Sequence, residues 1–196
     1  MAEELNDFAR LIREAGVVGA GGAGFPSYVK AASKADTVIV NAAECEPLLQ
    51  KDQELLARHT EEVLEGLALL MGSTGAARGV VAIKDKHPEL IAGVESAIKG
   101  RPGLEVKRLR DVYPAGDEYC LVYEVTGRLI PAGGIPIQVG VVVNNVETLY
   151  NMARAASTPV VDTWFTVAGA VRRPCTVKVP IGTSYAEALA LAGGST

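Results

Sequence analysis

GVVGAGGAGFPSYVK, residues 16–30, has five glycines in its first nine positions. Glycine has no Cβ, so such a loop can adopt positive φ and let its backbone approach a ligand closely. Free N–H groups in a loop that leads into a helix suit a phosphate group. The stretch therefore predicts one wall of a ligand site. The loop itself would contribute Gly19, Gly21, Gly22 and Gly24, with the apolar ring of Phe25 and the positive charge of Lys30 beside it.

Part of this stretch also fits the dinucleotide-binding pattern G-x-G-x-x-G, which starts at Gly19 and has Glu44 near the distance of a ribose-binding acid. That pattern requires a strand before the loop. Here the apolar residues of the segment 5–12 recur at helical spacing, and Gly16 is placed to end that helix. An ordinary dinucleotide site is therefore disfavoured, and a glycine-rich turn that binds nothing stays open as a second alternative.

The composition indicates a soluble protein with a normal core. The 196 residues are 48% apolar and 21% charged, and the net charge of -4 comes without any basic run, which argues against nucleic acid binding. No apolar stretch reaches membrane-spanning length, and the first residues do not resemble a signal peptide. The three cysteines are widely spaced without a C-x-x-C pair, which predicts reduced thiols in a cytoplasmic protein.

Strand patterns alternate with helix patterns along most of the chain, which predicts an α/β domain with mostly parallel pairing. The strands are expected at Thr37–Val40, Val80–Ile83, Leu104–Leu109 and Val141–Val143. Helices are expected at Asp52–Met71, from Pro88 onwards, after Glu118 and after Asn145.

Polar segments follow three of these strands, beginning at Asn41, Tyr113 and Asn144. Ligands of open α/β sheets bind at the carboxyl ends of the strands. We therefore expect these three segments to meet the glycine loop at one site. That convergence is stronger evidence than any single motif.

The C-terminal segment has a different pattern. Residues 157–159 indicate a linker, residues 164–170 and 176–179 a hairpin, and residues 183–192 a short helix. The predicted domains are therefore residues 1–157 and an incomplete second unit, residues 163–196.

Four ordered motifs carry a family resemblance: GVVGAGGAGFPSYVK, NAAECEP, YPAGDE and VGVVVNNVET. They resemble the flavin-binding core shared by the NADH-binding flavoprotein subunit of respiratory complex I and the C subunit of the Rnf complex. Among these relatives, VYPAGDEY and RLIPAGGIP are most similar to the corrinoid reductase of propanediol-utilising microcompartments. Residues 167–194 resemble the start of a soluble-ligand-binding β-grasp domain. The resemblance implies a Rossmann-like FMN-binding core followed by a partial β-grasp (ubiquitin-like) domain.

The resemblance also implies a function: non-covalent FMN is reduced by NADH, and the electrons pass to iron–sulfur clusters. By position, the glycine loop and Lys30 would hold the FMN phosphate, and Glu118 would be the catalytic residue beside the flavin and the nicotinamide. The remaining cofactor-binding residues implied by position are Asn41, Glu44, Glu46, Tyr113, Gly116, Asp117, Asn144, Asn145 and Thr148. No metal ligand set is expected, because three dispersed cysteines do not make a cluster site.

Two departures from the complex I pattern make FMN binding better supported than NADH binding. Ala43 replaces an aspartate that would touch the flavin, and residues 129–136, LIPAGGIP, lack the lysine and phenylalanine that help to stack NADH. One alternative is therefore an FMN-carrying relay or docking subunit that never meets NADH. Another is a binding module whose flavin site is empty.

Several candidates also have ordinary structural interpretations. The carboxylates could be solvated loop charges, the lysine a surface residue and the asparagine pair a helix cap. Two of the cysteines could simply pack, and one histidine could be exposed on a charged helix. These interpretations concern Glu44, Glu46, Lys30, Asn144, Asn145, Cys45, Cys120 and His59.

The resemblance predicts the partners as well. The chain is expected to be the front part of a longer protein whose iron–sulfur clusters lie in the C-terminal part that is missing here. An iron–sulfur or corrinoid protein would accept the electrons, inside a bacterial microcompartment or at the periphery of a membrane complex. The open strand edge of the incomplete second unit predicts homo-oligomers.

Overall fold

The computed structural model describes residues 5–196; residues 1–4, the start of the predicted first domain, lie outside the described residues. Within that range, the main sheet has four strands, all parallel, in the order β3-β2-β1-β4. The strands are β1 Thr37–Ala42, β2 Arg78–Lys84, β3 Leu104–Leu109 and β4 Val141–Asn145. The predicted α/β class with mostly parallel pairing is therefore confirmed.

Helices connect these strands and cover both faces of the sheet. In chain order they are α1 Asp7–Glu14, α2 Ser27–Ala32, α3 Lys51–Arg58, α4 Thr60–Thr74, α5 Pro88–Ala97, α6 Glu118–Thr126, α7 Val146–Arg154 and α8 Tyr185–Leu191. A short 3-10 helix, Pro136–Val139, precedes β4.

The apolar strand runs serve two cores, because successive side chains of a strand point to opposite faces. Val38 and Val40 of β1 pack in the larger core, with the helices α1, α3, α4, α5 and α7. Ile39, between them, packs in the smaller core, with Leu121 and Val122 of α6. The near-continuous Val and Ile runs of β1, β2 and β4 are therefore explained by burial on both faces.

The predicted single helix 52–71 is wrong in its continuity and its end. It is divided into α3 and α4 at His59, and α4 continues to Thr74, where Gly75 ends it with a φ of +77°. His59 is half-buried rather than exposed, because its ring packs against Tyr150 and Trp164 with centroid distances of 4.9 and 5.8 Å. The break therefore lies at a residue that contacts two distant parts of the chain.

Helix α4 lies very close to α7, and a glycine makes this possible. A Cβ at Gly66 would lie 2.0 Å from the carbonyl oxygen of Leu149. No side chain fits there, so the two backbones meet directly. This contact fixes α7, whose first turn contributes to the site described below.

The second unit begins with an antiparallel hairpin, β5 Asp162–Val167 and β6 Cys175–Pro180, and continues into α8. The predicted hairpin and helix are both present, with bounds shifted by a few residues. The predicted domain limits, 1–157 and 163–196, stay a prediction.

Candidate functional site

A cavity of about 710 Å³ lies at the carboxyl edge of the sheet, beside the ends of β1 and β4. In the sheet, β2 lies on one side of β1 and β4 on the other, so the chain changes direction at this point. Open α/β sheets bind ligands at such switch points, and small-molecule sites usually measure about 300–1,000 Å³.

The glycine loop between α1 and α2 forms one wall of this cavity. The Gly19 N–H donates to the Phe25 carbonyl at 2.8 Å and closes the loop on itself. Gly22 and Gly24 have φ values of +114° and +60°, which L side chains rarely adopt. The loop is preceded by α1, as the sequence predicted, and this disfavours an ordinary dinucleotide fingerprint.

Three asparagines at the strand ends have different hydrogen-bonding states. Asn41 donates from Nδ2 to the Gly116 carbonyl at 2.8 Å and accepts from the Ala43 N–H at 3.2 Å. Asn145 accepts from the Glu147 N–H at 3.0 Å and so caps α7. Asn144 lines the cavity and is 3% exposed, yet its buried Nδ2 has no hydrogen-bond partner among residues 5–196.

The YPAGDE segment closes the opposite wall through a tight contact. The Gly116 N–H donates to Cys45 Sγ at 3.0 Å, and a Cβ on Gly116 would lie 3.1 Å from that sulfur. The packing interpretation of Cys45 is therefore supported. Asp117 caps α6 by accepting from the backbone N–H of Tyr119, so the first residue of α6, Glu118, is placed at the cavity.

Lys30 lies in the cavity wall, held by partners on three elements. Its Nζ donates to the Val143 carbonyl at 2.6 Å, lies 3.6 Å from Glu118 Oε1 and lies 5.3 Å from the centroid of the Phe25 ring. Burial lowers the pKa of Lys30, and the negative charge of Glu118 partly offsets this. The surface-lysine interpretation is wrong, because the side chain is only 16% exposed.

A charged cluster of two buried and two half-buried residues lies next to the glycine loop: Asp52 and Glu147 are buried, and Glu44 and Lys51 are half-buried. The Lys51 ammonium donates to Glu147 Oε2 at 3.1 Å and lies 3.4 Å from Asp52 Oδ1. Burial lowers the pKa of Lys51, but the charges of Asp52 and Glu147 outweigh this and the net shift is upward.

Asp52 is the unusual acid of this cluster. Its Oδ2 accepts from Asn145 Nδ2 at 2.7 Å, and its backbone N–H donates to Glu44 Oε2 at 3.0 Å. Its Oδ1 is buried and accepts no hydrogen bond within the described part of the chain. Burial raises the pKa of Asp52 to about 6, against the opposing effect of Lys51.

Strand β5 of the second unit forms the remaining wall, where it contributes Trp164, Phe165 and Thr166 to the cavity lining. The Gln50 N–H donates to Thr166 Oγ1 at 3.2 Å. The cavity is therefore built from both predicted domains.

Comparisons with known proteins agree with this geometry. The family model described as the Nuo51 FMN-binding domain matches residues 12–154. The chain belongs to this family. A second model, the SLBB domain, matches residues 164–196, the segment that was expected to begin a soluble-ligand-binding β-grasp domain.

Two curated relatives match nearly the whole chain. Cobalamin reductase PduS of Citrobacter freundii is 49% identical over 187 residues, which are 94% of this chain and 41% of that protein. The C subunit of the Na(+)-translocating ferredoxin:NAD(+) oxidoreductase complex of Acetobacterium woodii is 37% identical over 192 residues, 94% of this chain and 43% of that protein. The chain thus spans less than half the length of these relatives.

A solved structure shows the same fold. An NAD+-reducing [NiFe]-hydrogenase in the air-oxidized state superimposes with a TM-score of 0.83 at 27% identity, over 96% of this chain and 38% of the hydrogenase chain. The expected resemblance and fold class are therefore confirmed.

The structure brings nearly all the candidate residues together. Fifteen of the sixteen line the cavity, and Gly22 is the exception, since it supports the loop through its φ without facing the cavity. The roles that the resemblance gives to these residues, including catalysis by Glu118, stay predictions.

Sequence reasoning missed several cavity residues, and five of them carry the buried charges and the second-unit wall described above. These are Lys51 and Asp52 at the start of α3 and Trp164, Phe165 and Thr166 in β5. Charges at a helix start and alternation in a strand are common patterns, and they carry no sign of a distant partner. Leu129, in the segment that departs from the complex I pattern, is 76% exposed, and residues 129–136 do not line the cavity.

Cys120 was expected to pack on α6 but is exposed, because the adjacent Leu121 and Val122 fill the core instead. Over residues 5–196, no three His, Cys, Asp or Glu side chains are grouped as metal ligands. In the same range, no helix combines the length and the apolar character needed to cross a bilayer.

Proposed function

We propose that this chain binds FMN non-covalently in the cavity and serves as a flavin electron-transfer module. The observation that carries the proposal is the Asn144 amide, whose Nδ2 is buried at the cavity without an acceptor among the described residues. A buried unpaired donor costs free energy, and a flavin ring offers acceptors along its pyrimidine edge. Because the chain belongs to the Nuo51 FMN-binding domain family, FMN is the ligand we propose for this donor, and it would supply the missing acceptor.

The other walls supply groups that suit the rest of FMN. Backbone N–H groups of the glycine loop would hold the phosphate, with the positive charge of Lys30 on the same wall. The carboxylates of Glu44 and Glu46 would accept hydrogen bonds from ribityl hydroxyls. The cavity volume of about 710 Å³ accommodates a ligand of this size.

Bound FMN would supply the redox chemistry, exchanging a hydride or single electrons. The protein residues have the task of orienting the ligand and excluding water. We propose NADH as the donor, with Glu118 as the residue beside the nicotinamide. The acceptor would be an iron–sulfur or corrinoid protein group outside this chain, and the name cobalamin reductase of the PduS relative supports the corrinoid.

The alternative is a relay that carries FMN without meeting NADH. One observation favours it: the segment 129–136 lies outside the cavity and lacks the residues that the resemblance assigns to NADH stacking. Both functions need FMN, so they differ only in the electron donor.

An anaerobic titration tests these proposals in two steps. Adding FMN to the purified chain should quench flavin fluorescence with a stoichiometry of one, and no quenching would refute the FMN proposal. Adding NADH to the loaded chain should then bleach the flavin absorbance. Retained colour with NADH but bleaching by dithionite would refute the donor and establish the relay.

A variant pair locates the site within the same titration. Gly22→Val should weaken FMN binding at least tenfold, because a β-branched residue does not adopt a φ of +114° without strain. Gly72→Val is the matched control, since Gly72 is exposed on α4 and lies outside the cavity. Equal affinity in both folded variants would remove the glycine loop from the site.

A further inference from the structure

Glu147 is a buried carboxylate that joins the two units of the chain. It is 1% exposed and lies in the first turn of α7. Its Oε1 accepts from Thr163 Oγ1 at 2.8 Å and from the Trp164 backbone N–H at 3.0 Å, both in β5. The edge of the hairpin is thus attached to the first unit by a charge-assisted pair of hydrogen bonds, which are stronger than neutral ones.

The other oxygen of Glu147 faces the flavin side. Oε2 accepts from Lys51 Nζ at 3.1 Å, and the same ammonium donates to the Ala20 carbonyl of the glycine loop at 2.8 Å. Lys51 is 15% exposed, so water screens this pair little. The chain of contacts therefore runs from the glycine loop through Lys51 and Glu147 to β5.

Ala20 is the glycine-loop residue in this series of contacts, and both its carbonyl and its N–H are held by hydrogen bonds. While the Ala20 carbonyl accepts from Lys51, its N–H donates to Thr148 Oγ1 at 3.0 Å. One peptide group of the loop is thus fixed by α3 and another by α7. Without Lys51 the Ala20 carbonyl would lose this hydrogen bond. We expect the following N–H groups of the loop to change direction as a result.

We propose that Lys51 and Glu147 are positioning residues that couple the attachment of β5 to ligand binding by the glycine loop. The proposal rests on the FMN site proposed above, and it gives the second unit a role in that site. Linkage makes the coupling reciprocal: if attachment of the hairpin favours FMN, then bound FMN must favour attachment of the hairpin by the same factor.

A substitution in β5 that lies outside the cavity tests the coupling without removing any direct contact to FMN. Thr163 does not line the flavin cavity, and Thr163→Val removes one hydrogen bond to Glu147. We expect the Kd for FMN to rise about threefold, and about tenfold or more for Glu147→Gln, which also removes the charge that holds Lys51. Thr183→Val is the matched control, because its hydroxyl bonds only the Pro180 carbonyl within the second unit.

Hydrogen exchange provides a second readout, at the Trp164 N–H that donates to Glu147. In the wild-type chain, FMN should slow exchange of the Trp164 N–H, and this protection should be lost in Glu147→Gln. Should Glu147→Gln fail to fold, the same comparison is made with Thr163→Val.

The outcomes are distinct. The coupling alone is refuted if the wild-type chain binds FMN, folded Thr163→Val binds it with the same Kd, and FMN does not change the exchange of the Trp164 N–H. No FMN binding by the wild-type chain refutes the proposed function and the coupling with it.

Discussion

Asn144 is the residue on which the proposed FMN site depends most. Its Nδ2 is buried without an acceptor among residues 5–196, although Asn41 and Asn145 beside it use their amides within the protein. An unpaired buried donor costs on the order of 1–3 kcal/mol, which a bound acceptor would recover. The proposed FMN site therefore makes a prediction for the ligand-free chain as well as for binding.

Asn144→Leu should lower FMN affinity at least tenfold and leave the ligand-free chain as stable as before, or more stable by about 1 kcal/mol. The reason is that the substitution removes a donor that only the ligand satisfies. FMN titration and urea unfolding measure the two effects, with Asn151→Leu on α7 as the control outside the cavity. Undiminished FMN affinity would show that Asn144 does not contact the ligand.

A substitution of Glu118 distinguishes the two proposed functions, because only the NADH-oxidising one gives this residue a role. Its carboxylate lies 3.6 Å from Lys30 Nζ and is 45% exposed, so it is accessible from the cavity. We predict that Glu118→Gln slows flavin reduction by NADH about tenfold or more while FMN stays bound. Stopped-flow reduction measures the rate, and reduction by dithionite, which needs no nicotinamide site, is the control. An unchanged NADH rate would contradict the role that the resemblance implies.

At the scale of elements, the start of α3 contains a pH-sensitive group. Lys51 from its own helix, Glu44 from the loop after β1, and Glu147 from α7 face or adjoin Asp52. Burial raises the pKa of Asp52 to about 6 from an ordinary value of 3.8. Between these two pH values the Asp52 carboxyl therefore keeps its proton in the folded state and loses it in the unfolded state.

The sign of the effect follows from linkage. The contribution of Asp52 to the free energy of unfolding is complete below its unfolded pKa and is lost as the pH rises through about 6. The free energy of unfolding contributed in this way is about 3 kcal/mol in all, and about 1 kcal/mol of it is lost between pH 5 and pH 7.

Asp52→Asn should remove this loss, because the amide oxygen can still accept from Asn145 but carries no charge. Urea unfolding of both proteins at pH 5 and pH 7 measures the difference. His87 and the other titrating groups are common to both proteins, so the comparison isolates Asp52. A free energy difference between the two proteins that is equal at the two pH values would contradict the prediction.

Elements were predictable where local patterns decide them. The Val-rich strands and the helix from Pro88 follow from apolar runs and a helix-starting proline, and both are confirmed. The break at His59 was not predictable, because its partners Tyr150 and Trp164 lie about a hundred residues away in sequence. Likewise, the closeness of α4 and α7 depends on Gly66 meeting a backbone that the sequence does not point to.

At the scale of the whole molecule, one side of the site could be predicted and the other could not. The glycine loop and the polar strand ends meet because parallel strands place their carboxyl ends at one edge, which is a general property of the fold. The wall formed by Trp164 to Thr166 depends on how the second unit is attached, and that attachment uses Glu147, a residue with no distinctive motif. Self-association through the hairpin edge stays a prediction.

The three cysteines bear on whether this chain alone could hold an iron–sulfur cluster. A two-iron or four-iron cluster normally takes four ligands, and the sequence offers Cys45, Cys120 and Cys175. The structure separates them by element: Cys45 accepts from the Gly116 N–H in a loop, Cys120 is exposed on α6, and Cys175 begins β6. These three thiols alone therefore do not supply the four ligands of such a cluster.

We therefore predict that this chain alone binds FMN but no iron–sulfur cluster, and that its electrons leave only through an added acceptor. A soluble dye should reoxidise the reduced, FMN-loaded chain, because no second centre competes for the electrons. Iron analysis and electron paramagnetic resonance of the dithionite-reduced protein measure the cluster content, with flavin content as the internal standard. Iron in stoichiometric amount together with a cluster signal would contradict the prediction, since it would require ligands besides these three thiols, or a cluster shared between chains.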